Sequence, residues 1–249
     1  MKRFSIAVAL LLFSLPAFAI TYGQTDGKLH PNVGALVGEW SGGYYPFCSG
    51  ALISPTVFLT AAHCNPGGTG RVHVTFASDF DGHAKLYAGT FHGDPLYNWA
   101  QDDPHDIAVV VLDQPVKGIA PARLPSAGSL GSLGPSQQFT AVGYGAQESP
   151  NVPGGPMIQY YDVREYAVST LNAVNPAWLR LSQNAATGNG GTCYGDSGGP
   201  NFLGAGAGET NVIAGVTVTG DMFCKSTNVI YRTDSASARG FLSRFVTLP

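Results

Sequence analysis

Charge is scarce in this chain. Only 12% of its 249 residues are Asp, Glu, Lys or Arg, and the formal net charge is −3. That balance argues against a nucleic acid or an anionic membrane as partner, because both are held by clustered basic side chains. Long apolar runs are scarce too. The one near the start, Phe4 to Leu15, is short for crossing a bilayer, and no second span follows it. Stable membrane insertion is therefore not expected. Cysteine is limited to four residues. What the chain has in quantity is glycine (33) and proline (17), beside 44% hydrophobic residues. Together these allow a large core and suggest a compact, loop-rich β protein.

The N-terminus reads as an export signal. Lys2 and Arg3 supply the positive start, Phe4 to Leu15 the apolar stretch, and Pro16 breaks it before Ala17-Phe18-Ala19. Residues 1–19 are read as a signal peptide, with the working protein starting at Ile20 and located outside the cytoplasm, extracellular or periplasmic. In that oxidising space an even cysteine count means disulfides before metals, and sequence alone leaves three pairings open.

Short apolar stretches recur between turn residues, among them Val33–Val37, Val57–Ala61, Ile107–Leu112 and Val212–Val218. Their spacing suits antiparallel β barrels. The Ser/Gly/Pro-rich stretch at about 121–137 reads as a connector. The tail from about 234 to 247 reads as a helix capped by Asp234 or Ser235, with Phe241, Leu242 and Phe245 on one face.

Two motifs carry chemistry. Thr60-Ala-Ala-His-Cys64 offers His63, and Gly195-Asp-Ser-Gly-Gly-Pro200 offers Ser197. A serine hydroxyl is a weak nucleophile until a base takes its proton and donors receive the oxyanion it creates. His63 suits the base, and the N–H groups of Gly195 and Ser197 suit the donors. A buried carboxylate should hold the imidazole. Asp106 directly precedes the apolar run Ile107–Leu112, whereas Asp94, Asp102 and Asp103 sit in a polar stretch. His105 is read as a bystander, because neighbours on a strand face opposite sides. His30, His73, His83 and His92 match no compact metal site, and Asp79-Phe-Asp-Gly82 is read as a turn rather than a calcium loop. No metal and no cofactor are expected.

The order His63, Asp106, Ser197, within Ala-Ala-His-Cys, Asp-Ile-Ala and Gly-Asp-Ser-Gly-Gly-Pro, resembles the chymotrypsin/trypsin-like secreted serine proteases over nearly the whole chain after residue 19. The resemblance implies an all-β fold of two six-stranded antiparallel barrels with a cleft between them and a C-terminal helix. It divides residues 20–249 into a first barrel at about 32–120, the connector at about 121–137, a second barrel at about 138–233 and the helix at about 234–247. It also implies the pairings Cys48–Cys64 and Cys193–Cys224, and an ion pair between a freed Ile20 ammonium and Asp196. Ile20 stands where the family's mature chain begins and where the signal should be cut, so signal cleavage itself would generate the activating terminus.

The pocket departs from the family's best-known forms. Gly191 stands where a trypsin-like enzyme has aspartate, so no preference for Lys or Arg is expected. Val218-Thr219-Gly220 stands where Ser-Trp-Gly is usual, and Val229 is read as replacing a wall glycine. A small or medium apolar side chain is expected to fit. Val218 also removes the serine that usually bonds the catalytic carboxylate. The implied function is a secreted serine endopeptidase acting on protein or peptide as a monomer. The alternative is a binding or effector protein on a catalytically weak protease scaffold.

Overall fold

The apolar stretches between glycine and proline turns form strands, as their β-branched and aromatic content favours. The computed structural model describes residues 20–148 and 158–249, so the expected signal at 1–19 lies outside the described residues. Strand β1 is Gln24–Thr25. Strands β2 (Val33–Trp40), β3 (Gly43–Ser54), β4 (Val57–Thr60), β5 (Arg71–Thr75), β6 (Tyr87–Gly93) and β7 (Ala108–Leu112) close into an antiparallel barrel in the order β2-β3-β4-β7-β6-β5.

The chain then passes through residues 113–137, which hold a 3-10 turn at Ser129–Ser132. Next come β8 (Gln138–Gly143), β9 (Gln147–Glu148), β10 (Ile158–Gln159), β11 (Glu165–Val174), β12 (Trp178–Ser182), β13 (Pro200–Leu203), β14 (Ile213–Gly220) and β15 (Thr227–Arg232). Strands β9 and β10 pair as a separate ribbon. The other six close a second barrel, β8-β11-β12-β15-β14-β13, with β1 added beside β11. The expected pair of six-stranded barrels is present.

Helix α1 is shorter than expected, Ala236–Leu242. Ser235 caps it by accepting from Ala238 N, while Asp234 is engaged by Arg232 and by Leu130 N. Phe241 and Leu242 are buried, and Phe245 packs against the same core.

Leu36, Leu52, Phe58, Leu59, Val74 and Val110 lie in the core of the first barrel; Phe139, Leu171, Leu179, Leu181 and Ile230 form a cluster in the second. Each such side chain contributes about 1.5–3 kcal/mol by leaving water. Between the barrels the buried Arg164 must satisfy every donor it brings out of water. Its Nε donates to Asp26 Oδ2 at 2.7 Å, Nη1 to the carbonyls of Val33 and Phe76 at 3.0 and 3.1 Å, and Nη2 to Gly27 O at 3.0 Å. Arg164 thus ties the second barrel to the first and to the segment that leads into it.

Candidate active site

His63 leaves β4 on a single 3-10 turn, Ala62–Cys64. The disulfide Cys48–Cys64 fastens that turn to β3. Asp106 stands just before β7 and is fully buried. Its Oδ1 accepts from His63 N at 2.9 Å and its Oδ2 pairs with His63 Nδ1 at 2.8 Å. A carboxylate accepts only, so Nδ1 carries a proton, and in the neutral ring Nε2 is the acceptor. The competing carboxylates face elsewhere. Asp94 holds His105 Nδ1 at 3.0 Å, and Asp103 accepts from Tyr231 OH at 2.6 Å.

Ser197 lies on the turn before β13. Its carbonyl accepts from Ser49 N at 2.8 Å and lies 3.6 Å from Cys64 Sγ, next to His63 in the chain. Gly198 is pressed against Thr60 and Ala61, close enough that a side chain there would meet Ala61 N at 2.7 Å. The serine turn is therefore packed on the histidine turn. Gly195 holds φ at 96°, a conformation open to glycine, and its carbonyl is anchored by Ser49 Oγ at 3.0 Å. The N–H groups of Gly195 and Ser197 donate to no acceptor among the described residues.

Asp196 is fully buried. It accepts from Gly145 N at 2.8 Å and Cys193 N at 2.9 Å. Burial pushes its carboxyl up to about 7, against the pull of those two N–H groups. Ile20 is also fully buried. Next to it Thr21 exchanges two backbone hydrogen bonds with Gly191, each 3.0 Å, which carries the N-terminal segment across the second barrel.

Beside Ser197 is a cavity of about 200 Å³ lined by Thr192, Tyr194, Thr217–Asp221 and the disulfide Cys193–Cys224. Val218, Thr219 and Gly220 line it. Val229 does not. A bulge in β14 between Thr217 and Thr219 shifts the register, so Val229 pairs with Thr219 and Asn228 stands opposite Gly220. Val229 instead lines a separate cavity with Trp178, Asp102 and Asp103. Gly191 does not line the pocket either, because the Gln183 side chain occupies the space into which a Cβ at 191 would project.

Sequence reasoning missed Gln183 and a buried ionic cluster. His30 lies between Asp26, on Nδ1, and Glu209, on Nε2 at 2.6 Å. Burial alone would lower the His30 pKa, but these two hydrogen-bonded carboxylates outweigh it and raise it to about 9. Asp26 and His30 are only four residues apart, but Glu209 stands 179 residues from His30 and Arg164 138 from Asp26, so no local pattern marks the cluster. The one set of potential metal donors among the described residues is Cys48, His63 and Cys64. Both its cysteines are in the disulfide and offer no thiolate. No described helix is long and apolar enough to cross a membrane.

A family model described as Trypsin matches residues 28–238. The chain belongs to the trypsin family. Among its relatives, a trypsin of Phaedon cochleariae is 28% identical over 80% of this chain and 84% of its own length. Snake venom serine proteinase 14 of Crotalus adamanteus is 34% identical over 61% of each chain. Glucanase inhibitor protein 1 of Phytophthora sojae is 29% identical over 67% of this chain, which spans 65% of that relative's length. The trypsin-family chain thus has proteases and a named inhibitor among its relatives.

Proposed function

We propose that this trypsin-family protein is an exported serine endopeptidase whose nucleophile is Ser197, whose base is His63 and whose orienting carboxylate is Asp106. The observation that carries the reading is the buried Asp106 holding both His63 N and Nδ1, with the Ser197 turn packed beside it. In this reading Ser197 Oγ attacks a peptide carbonyl carbon and its proton passes to His63 Nε2. The oxyanion rests on the N–H groups of Gly195 and Ser197, and losing one such donor typically costs about 10²–10³ in rate. His63 then gives the proton to the leaving amine, which departs and leaves an ester on Ser197. Water repeats the attack and frees the acid. No cofactor takes part, and the substrate is protein or peptide met by a monomer outside the cytoplasm.

The same reading gives Asp196 a partner. A chain cut before Ile20 has an ammonium there, and a buried carboxylate is stabilised by a buried cation. Ile20 holds φ at 65°, costly for a β-branched residue. A free terminus no longer carries that constraint. An active, exported protein beginning at any residue other than Ile20 would remove this part of the proposal.

The second reading is a binding protein on an idle scaffold. It is favoured by the inhibitor relative and by Val218, which offers Asp106 no hydroxyl. Treating the parent and a Ser197→Ala variant with a fluorophosphonate probe, then with a mixed peptide library, separates the two. Labelling and cleavage by the parent alone is the expected result. A folded parent that neither labels nor cleaves refutes the endopeptidase.

A further inference from the structure

The turn that delivers Asp106 is gripped on both sides by one residue. Asp94 directly follows β6 and is buried. Its N donates to Ile107 O at 3.0 Å, which extends the β6–β7 ladder one step past Gly93 and Ala108. Its Oδ2 accepts from His105 Nδ1 at 3.0 Å, and its Oδ1 accepts from Leu96 N at 3.0 Å. Asp94 thus holds the residue before Asp106 through its side chain and the residue after it through its main chain.

The turn needs such a hold. His105 sits at φ 54°, a left-handed conformation that is costly for a residue with a Cβ. Its N donates to Asp103 Oδ1 at 3.3 Å. Ile107 N donates back to His105 O at 2.9 Å, which closes a three-residue turn with Asp106 at its centre. The Asp106 carboxylate has no separate tether among the described residues, because both of its donors belong to His63. Val218 offers it no hydroxyl. Its aim at His63 therefore comes from the backbone that carries it.

We infer that Asp94 and His105 are positioning residues, a pair that fixes the Asp106 turn so that its carboxylate meets His63 N and Nδ1. The pair acts through Asp106. This rests on the endopeptidase reading for its kinetic test, but the hold on His63 Nδ1 can be read without any substrate.

The experiment compares the parent with Asp94→Ala, His105→Leu, His105→Gly and His105→Asn. Glycine relieves the backbone but removes the ring N–H. Asparagine tolerates the left-handed backbone and carries an N–H in the place of Nδ1. On one peptide substrate, Asp94→Ala, His105→Leu and His105→Gly should each lower kcat about 10²-fold at unchanged KM, the cost of moving a reacting group by roughly 1 Å. His105→Asn should recover most of that loss. The same substitutions in the nitrogen-15-labelled Ser197→Ala protein are then followed by NMR. The His63 Nδ1 proton should be seen with the parent turn, exchange with water too fast to be seen in the first three, and reappear with His105→Asn. A merely structural pair would lower the urea midpoint and leave both kcat and that proton as in the parent; this result overturns the inference. His105→Gly that matches the parent overturns it too, because the ring would then hold nothing. If His105→Leu fails to fold, Asp94→Ala and His105→Gly carry the test. A parent without peptidase activity refutes the endopeptidase reading alone, and the proton signal then decides the inference.

Discussion

The buried carboxylate of Asp196 supplies the sharpest stability test. When Ile20 N is an amide, Asp196 has two N–H donors and no cation among the described residues, and its carboxyl is pushed up to about 7 from an ordinary 3.8. The folded protein then keeps a proton that the unfolded chain releases. For a group raised in this way, stability is full below about pH 4 and falls as pH climbs through about 7. The difference corresponds to about 4 kcal/mol. A free Ile20 ammonium would favour the ionised form and cancel the loss. The comparison uses chains beginning at Ala19 and at Ile20, each with and without Asp196→Asn, unfolded in urea at about pH 4 and about pH 8. Asp196→Asn removes the titration, so subtracting its pH dependence isolates this one carboxylate. The Ala19 chain should lose several kcal/mol attributable to Asp196, and the Ile20 chain little or none. Equal losses in the two chains would refute the reasoning that the terminus is the carboxylate's partner.

His30 should act in the opposite direction to an ordinary acid-sensitive carboxylate. With its pKa raised to about 9, its stabilisation is full below about 6.5 and is lost as pH rises through 9; His30→Gln should flatten the decline in urea midpoint across that window. Gly145→Ala places a Cβ against the Asp196 carboxylate and 2.7 Å from Asp196 N. It should cost about 1–3 kcal/mol by urea unfolding and slow fluorophosphonate labelling more than Leu179→Ala, a change of about 2–5 kcal/mol in the second barrel's separate core cluster. Replacing Cys193 and Cys224 together by alanine should lower stability by about 2–4 kcal/mol. It should also weaken discrimination among peptides, since this bridge lines the cavity beside Ser197; an unchanged peptide profile would count against that wall being rigid.

The two barrels were legible because strand formation here follows from local composition: β-branched runs such as Ala108–Leu112 stand between glycine and proline turns. The helix was legible in kind, but its length was not. Ser235 caps it as its hydroxyl allows, whereas Asp234 is drawn off to Arg232. His63 and Asp106 were readable because each stands in a short string whose neighbours announce its setting. The setting of Val229 was not, because a one-residue bulge in β14 sets it opposite Thr219, and it lines a different cavity from the one beside Ser197.

By itself the sequence determined the β architecture, the motifs around His63, Asp106 and Ser197, and the lack of a side chain at Gly191. These depend on residue type and on spacing within a few positions. Only the tertiary structure decided what fills the space beside Gly191, what joins Asp26 and His30 to Arg164 and Glu209, and which residues line the cavity. Those outcomes depend on side chains brought together from distant strands, where a shift of one residue in register exchanges the inner and outer faces.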